Sequence, residues 1–247
     1  MYSKIYDFCR VKNSGSANLN KHYEFPPRVN FLIDLVSELG IEYEVDSFPI
    51  GETLGYNIIL RGTSGNAVSA HHDILNPHVD NANDNSCSVI NAIALKLKVP
   101  EITVFLLDAE EIGGLGAKHA AQKIKSGEFG KIDWVLNLEL SGKGGANFFI
   151  GDYPGKLSNQ IIEKFKCPIV STPFNDAVIF RQNGIDSVVI NPLPILSEGK
   201  VSQVKYGDNY LDFSMLSYCH SSMDSIGTID VGDMQEFVEE VLVEIVK

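Results

Sequence analysis

The chain has 247 residues, 44% of them hydrophobic and 21% charged, which is the balance of a globular protein with ample core and excludes a small scaffold that folds only on staples. A formal net charge of −12 argues against a nucleic-acid partner, which needs a basic face, and against docking on anionic membranes. The four cysteines, at 9, 87, 167 and 219, are far apart and form no Cys-x-x-Cys pair, so free thiols in a reducing compartment are expected and a cysteine zinc site is not.

The N-terminus, Met-Tyr-Ser-Lys-Ile-Tyr-Asp, lacks the apolar run of a secretory signal, and no stretch approaches the ~18 apolar residues of a membrane span. A cytoplasmic protein is the expectation. After a short first helix comes a polar loop at 12–19. Residues 25–38 place Phe31, Leu32, Leu35 and Val36 at helical spacing, with Gly40 as a stop. Alternation then predicts a strand from Ile41 to Phe48, with Ile41, Tyr43 and Val45 on one face, and further strands at 56–60 and 67–71. Residues 86–98 read as a helix through Val89, Ile90, Ala92, Ile93 and Leu95.

Ile102 to Leu107 is a continuous apolar run, as expected of a strand buried on both faces, and 132–140 repeats the pattern. Helices follow at about 115–125, 156–166 and 174–182, a strand at 186–190 and a last helix at 231–246. Strands alternating with helices predict an α/β sandwich around a largely parallel sheet. A site is expected beyond the carboxyl ends of its strands. No break in composition suggests a second domain.

The residues that carry chemistry fall at those strand ends. His71 and Asp73 are two apart and share a side, so Asp73 either partners the imidazole or joins it in one site; His72 points the other way and reads as structural. Asp80 to Ser86 opens a helix; one cap accounts for one of these residues, and a carboxylate at Asp84 is able to bridge two cations. Asp108, Glu110 and Glu111 follow a doubly buried strand, either as acidic residues near a helix N-terminus or as carboxylates whose burial a metal makes tolerable. Glu139 ends the next strand, and His220 precedes the last helix. Together His71, Asp84, Glu111, Glu139 and His220 offer two imidazoles and three carboxylates, a donor set that suits zinc. Glu110 is left over beside a ligand, where a zinc hydrolase needs its general base.

Ser-Ala-His71-His72-Asp73, Asn-Ala-Asn-Asp84-Asn-Ser, Leu-Leu-Asp-Ala-Glu110-Glu111-Ile-Gly, Asn-Leu-Glu139 and His220-Ser-Ser-Met-Asp224 recur in this order. Over roughly residues 25–245 the chain resembles the zinc aminopeptidase family that includes bacterial leucyl aminopeptidase, aminopeptidase Y and, more distantly, glutaminyl cyclase. The resemblance implies a three-layer α/β sandwich of zinc exopeptidase type, with a largely parallel, mixed central sheet, as one catalytic domain over 1–247 without a lid or dimerisation insert. It implies an aminopeptidase acting on peptides with a free N-terminus, with two zinc ions per chain holding a hydroxide. Asp84 would bridge the ions, with His71 and Glu139 on one and Glu111 and His220 on the other. Glu110 would be the general base and Asp73 would orient His71. The Asp84–Asn85 peptide would be cis, and a pocket loop at 173–180 would supply Asp176 and Phe180 to the substrate. Glu139 stands where leucyl aminopeptidases more often have Asp, and Ala177 where many members have His. The alternatives are a mono-zinc glutaminyl cyclase, whose pocket is walled by tryptophans where this chain has only Trp134, or a peptidase-like binding module without activity.

Overall fold

The computed structural model describes residues 1–12, 25–196 and 204–247, so most of the expected loop at 12–19 lies outside the described residues. Eight strands form one sheet: β1 (Glu44–Ile50), β2 (Thr53–Leu60), β3 (Asn66–His71), β4 (Thr103–Leu107), β5 (Trp134–Leu138), β6 (Phe148–Gly151), β7 (Ile169–Val170) and β8 (Asp186–Pro192). Their order is β1-β2-β4-β3-β5-β8-β6-β7. The four central strands, β4, β3, β5 and β8, are mutually parallel, while β1, β2 and β6 pair antiparallel at the flanks. This is the expected α/β fold with a mixed central sheet.

The apolar runs are explained by two-sided burial. In β4, Val104 and Leu106 face one core while Phe105 and Leu107 face another; in β5, Leu136 and Leu138 face the first and Val135 the second. The first core packs against helices α1 (Lys4–Arg10), α2 (Pro27–Glu38), α3 (Cys87–Lys98) and, later in the chain, α5 (Lys156–Phe165). The second packs against α4 (Leu115–Ser126) and α6 (Asp176–Gln182). The helical stretch from Val231 to Val246, of which α7 is Val231–Glu236 and α8 Val243–Val246, closes the first face. Among the described residues no helix is long and apolar enough to cross a membrane. All four cysteines are free.

Two departures from the expected elements have physical causes. Ile41 is no strand residue. Its N–H bonds to Val36 O at 2.9 Å and Gly40 N–H to Ser37 O at 3.0 Å, with Gly40 at φ 69°, the pair of hydrogen bonds of a Schellman cap that ends α2. In β1 the inward residues are Asp46 and Phe48, not Val45. This flanking strand is covered by α4, where His119 stacks on Phe48 at 5.3 Å and Lys123 pairs with Asp46 at 2.7 Å. Strands β6 and β7 were not anticipated, being four and two residues long. A small hairpin, β9 (Lys205–Tyr206) with β10 (Asn209–Tyr210), stands apart from the sheet.

Candidate active site

The parallel strands deliver their chemistry at one edge. His71 is the last residue of β3, Glu110 and Glu111 lie in the turn after β4, and Glu139 follows β5 immediately. Because β4, β3 and β5 are neighbours, strand order alone brings these three loops together. Asp84 comes from the loop before α3, and His220 from the loop before the last helix. Four residues without glycine's freedom hold left-handed φ around this edge: Asn81 (48°), Ala109 (61°), Leu140 (53°) and His220 (61°). Such backbone is uncommon outside turns and sites that constrain it. The Asp84–Asn85 peptide is cis.

Asp84 divides the cluster into two halves. Its Oδ1 lies 3.3 Å from His71 Nε2, which is also 3.5 Å from Glu139 Oε2. Its Oδ2 lies 3.1 Å from His220 Nε2, which is 3.1 Å from Glu111 Oε2. Zinc held tetrahedrally at about 2.0–2.1 Å separates its donors by about 3.3–3.4 Å, so both halves have the spacing of a zinc shell. The donor chemistry fits as well. Glu111 Oε1 is buried without a hydrogen-bond partner, as expected of an oxygen made for a ligand absent from protein chemistry. Asp84, Glu111 and Glu139 crowd three carboxylates against two imidazoles.

Without a cation this crowding shows in the titration. Burial pushes the Glu110 carboxyl up to about 9 and the Glu111 carboxyl up to about 7. The hydrogen bond to Asp84 lifts His220 to about 9. Burial opposes ionisation of Asp84, but the bonds from His220 and His71 outweigh it and hold this carboxyl below its usual range. Burial likewise opposes the charged form of His71, and the Glu139 and Asp73 carboxylates overcome it.

The residues around the donors are held in turn. Asp73 Oδ1 lies 3.3 Å from His71 Nδ1, the nitrogen turned away from the cluster. The same carboxylate accepts the backbone N–H of Glu110 at 3.2 Å and of Glu111 at 3.1 Å, so it sets both the imidazole and the turn that carries two acids. Asp224 accepts from Asn83 N–H at 2.7 Å and Asp84 N–H at 3.0 Å, tying the His220 loop to the Asp84 loop. Asn137 Nδ2 donates to Glu139 Oε1 at 3.0 Å. Asn137, in β5, is two residues before Glu139 at the strand's end, a spacing that puts both on one side. That signal was available in the sequence; Asp224 was visible only as part of a motif. His72, on the opposite side, bonds through Nε2 to Tyr56 O at 2.8 Å and takes no part in the cluster.

A cavity of about 370 Å³ opens beside the cluster, lined at its floor by His71, Asp84, Glu110, Glu111, Glu139 and His220. Its far wall is apolar: Phe149, Val170, Val189, Phe213 and Leu216. Phe149 and Phe213 stack at 5.2 Å. The two residues expected from the pocket loop do not line this cavity. Phe180 is fully buried in the second core, 6.5 Å from Phe105. Asp176 is also fully buried, with neither oxygen hydrogen-bonded, and burial raises its carboxyl well above the usual range. The reason is helical: α6 starts at Asp176, and residues four apart share the face turned into the protein. Pro173, Phe174 and Asn175, just before the helix, are the part of the loop that reaches the cavity, together with Ser171 and Thr172 ahead of it.

The sequence profile of Peptidase family M28 matches residues 57–245. No curated protein matches the chain by sequence. Among solved structures the chain is similar to a glutaminyl cyclase from an Acidobacteriales bacterium, with a TM-score of 0.71 and 18% identity, covering 99% of this chain and 92% of that one. It is similar to a leucine aminopeptidase precursor from Bacteroides thetaiotaomicron VPI-5482, at 0.67 and 17%, covering 99% and 94%. It is also similar to BSAP, a zinc aminopeptidase from Bacillus subtilis, at 0.58 and 19%, covering 80% of this chain and 50% of that one. At such identities the likeness is one of fold.

Proposed function

The chain belongs to peptidase family M28, which supports a metal-dependent peptidase, and from that premise we propose that it is a zinc aminopeptidase removing the N-terminal residue of peptides. The carrying observation is the divided carboxylate of Asp84, each oxygen facing a different imidazole at 3.3 and 3.1 Å, beside an apolar cavity. His71 and Glu139 would hold one zinc ion, Glu111 and His220 a second, and Asp84 both. Zinc held there supplies Lewis acidity, polarising a carbonyl and easing loss of a proton from water.

The chain's own groups do the rest in this reading. Glu110 lies at the cavity floor and is not needed as a ligand, so it takes the proton from water and returns it to the leaving amine. Asp73 keeps His71 in one orientation and holds the Glu110 backbone. In this reading the free α-amine of the substrate sits beside the Glu110 and Glu139 carboxylates, which line the cavity with the proposed ligands. The wall of Phe149, Val170, Val189, Phe213 and Leu216 would receive an apolar side chain. The residues 1–247 act as one catalytic unit, since α1 and α2 pack into the same core as the strands that bear the site.

The likeness to a glutaminyl cyclase makes cyclisation the second reading. Against it, the one tryptophan, Trp134, opens β5 at the far end of the sheet and does not line the cavity. The test is a panel of unblocked aminoacyl chromogenic substrates and a peptide with N-terminal glutamine, each with and without added zinc. Release of the chromophore from apolar aminoacyl substrates is expected. Zinc-loaded protein that cleaves none of them but cyclises the glutamine peptide would establish the second reading instead.

A further inference from the structure

Taking the metal centre as proposed above, we infer that Arg28 is a positioning residue for it, clamping the His71 strand end to the Asp84 loop from outside the site. Arg28 is on α2, ahead of the residues matched by the family profile, and is fully buried. Among the described residues no carboxylate lies within ion-pair distance of it. Its donors go to uncharged oxygens. Nε donates to His72 O at 2.6 Å, one terminal nitrogen to Ser86 Oγ at 3.0 Å, and the other to Val11 O at 3.1 Å and Phe8 O at 3.3 Å. The guanidinium carbon sits 3.9 Å over the Phe8 ring.

The acceptors give the clamp its meaning. His72 O belongs to the residue between His71 and Asp73, so fixing that peptide fixes the directions of a ligand and of the carboxylate that orients it. Ser86 is two residues after Asp84, at the start of α3. One rigid, planar fork therefore spans the two segments whose separation sets the 3.3 Å gap between His71 and Asp84. A buried charge is costly, and an apolar side chain of similar volume would fill the space more cheaply. What an apolar side chain lacks is directed donors. Burial lowers the guanidinium to about 10, against the pull of Cys9, Asp73 and Asp108, and a guanidinium stays charged at neutral pH.

The test measures zinc affinity by chelator competition on folded protein, in wild type, Arg28→Met, Arg28→Lys, Ser86→Ala and the core control Leu32→Ala. Residues that orient ligands typically change metal affinity by about 10–100-fold, so Arg28→Met should weaken zinc by about tenfold or more, while Leu32→Ala, which costs stability on the same helix, should stay within about twofold. Arg28→Lys keeps the charge but loses the fork and should fall between. Ser86→Ala should weaken zinc less, and adding it to Arg28→Met should have little further effect, because the two share one interaction. Folded Arg28→Met with wild-type affinity overturns the inference, as does Leu32→Ala weakening zinc as much. If the Arg28 variants do not fold, Ser86→Ala decides, and wild-type affinity in it overturns the clamp. A wild-type chain that takes up no zinc overturns the metal reading itself, and the clamp with it.

Discussion

The two halves of the proposed metal centre are built differently. His71 and Glu139 stand at the ends of adjacent parallel strands, with only 2% and 10% of their side-chain surface exposed; His71 pairs with Leu107 of β4, and Glu139 N–H bonds to Ile190 O at 3.2 Å. His220 is on a loop, its side chain 47% exposed and its backbone left-handed, and Glu111 is in a turn. The loop half is kept in place by single hydrogen bonds, chiefly those that Asp73 and Asp224 accept. A sheet edge is a preformed scaffold, whereas a loop site must be ordered by the ligand that fills it. The strand half should therefore bind its ion more tightly and release it last.

The largest effect separates chemistry from binding at the seam between the halves. Glu110→Gln keeps size and shape but removes the base, and kcat should fall by about 10²–10⁴ while zinc content and melting stay near wild type. A fully active Glu110→Gln with both ions bound would sink the mechanism. Glu111→Gln, one residue on, should instead lose or weaken the ion of the loop half, as elemental analysis would show.

The comparison itself is tested by paired histidine variants. His220→Ala should retain about one zinc per chain, because the strand half keeps three donors. His71→Ala should retain less, and His72→Ala about two. Zinc kept by His71→Ala and lost by His220→Ala would reverse the ranking.

Asp73→Asn touches both halves, since its carboxylate faces His71 and accepts the Glu110 and Glu111 N–H groups. Zinc affinity in both halves should drop by about 10–100-fold. A drop confined to the strand half would mean that the turn needs no such anchor.

The smallest effect is on melting of the chelated chain. Glu110 and Glu111 titrate near 9 and 7 in the folded protein, above the unfolded value of about 4.3, and His220 near 9 against about 6.5. Groups raised on folding bind protons more tightly in the native state. Their contribution is fully present below the unfolded values and is lost as pH rises through the folded ones. Chelated protein should thus melt lower at pH 9 than at pH 6, and zinc should remove most of the difference. Equal melting at both pH values without metal would contradict the crowding.

Much of this molecule was legible along the chain. The doubly apolar runs of β4 and β5 and the helical spacing of α3 follow from two-sided burial, a local property of residue type and period. The parallel strands then dictated which end would carry His71, Glu111 and Glu139, because strand ends at one edge are neighbours whatever fills the loops. The cavity wall was not legible. Phe149 and Phe213 meet only because β6 runs antiparallel beside β8 and the chain returns over it, a long-range packing choice with no local signature. Phe180 and Asp176 show the same limit in reverse: a motif named the loop, but where α6 begins decided which of its side chains reach the cavity. Arg28 is the plainest case. A lone arginine in a helix carries no signal of its own in the sequence, and only the tertiary fold, by burying it against His72 O and Ser86 Oγ, turns it into a fixed set of donors. Periodicity records which faces are buried; what a buried polar group bonds to depends on segments far away in sequence, and only packing brings those together.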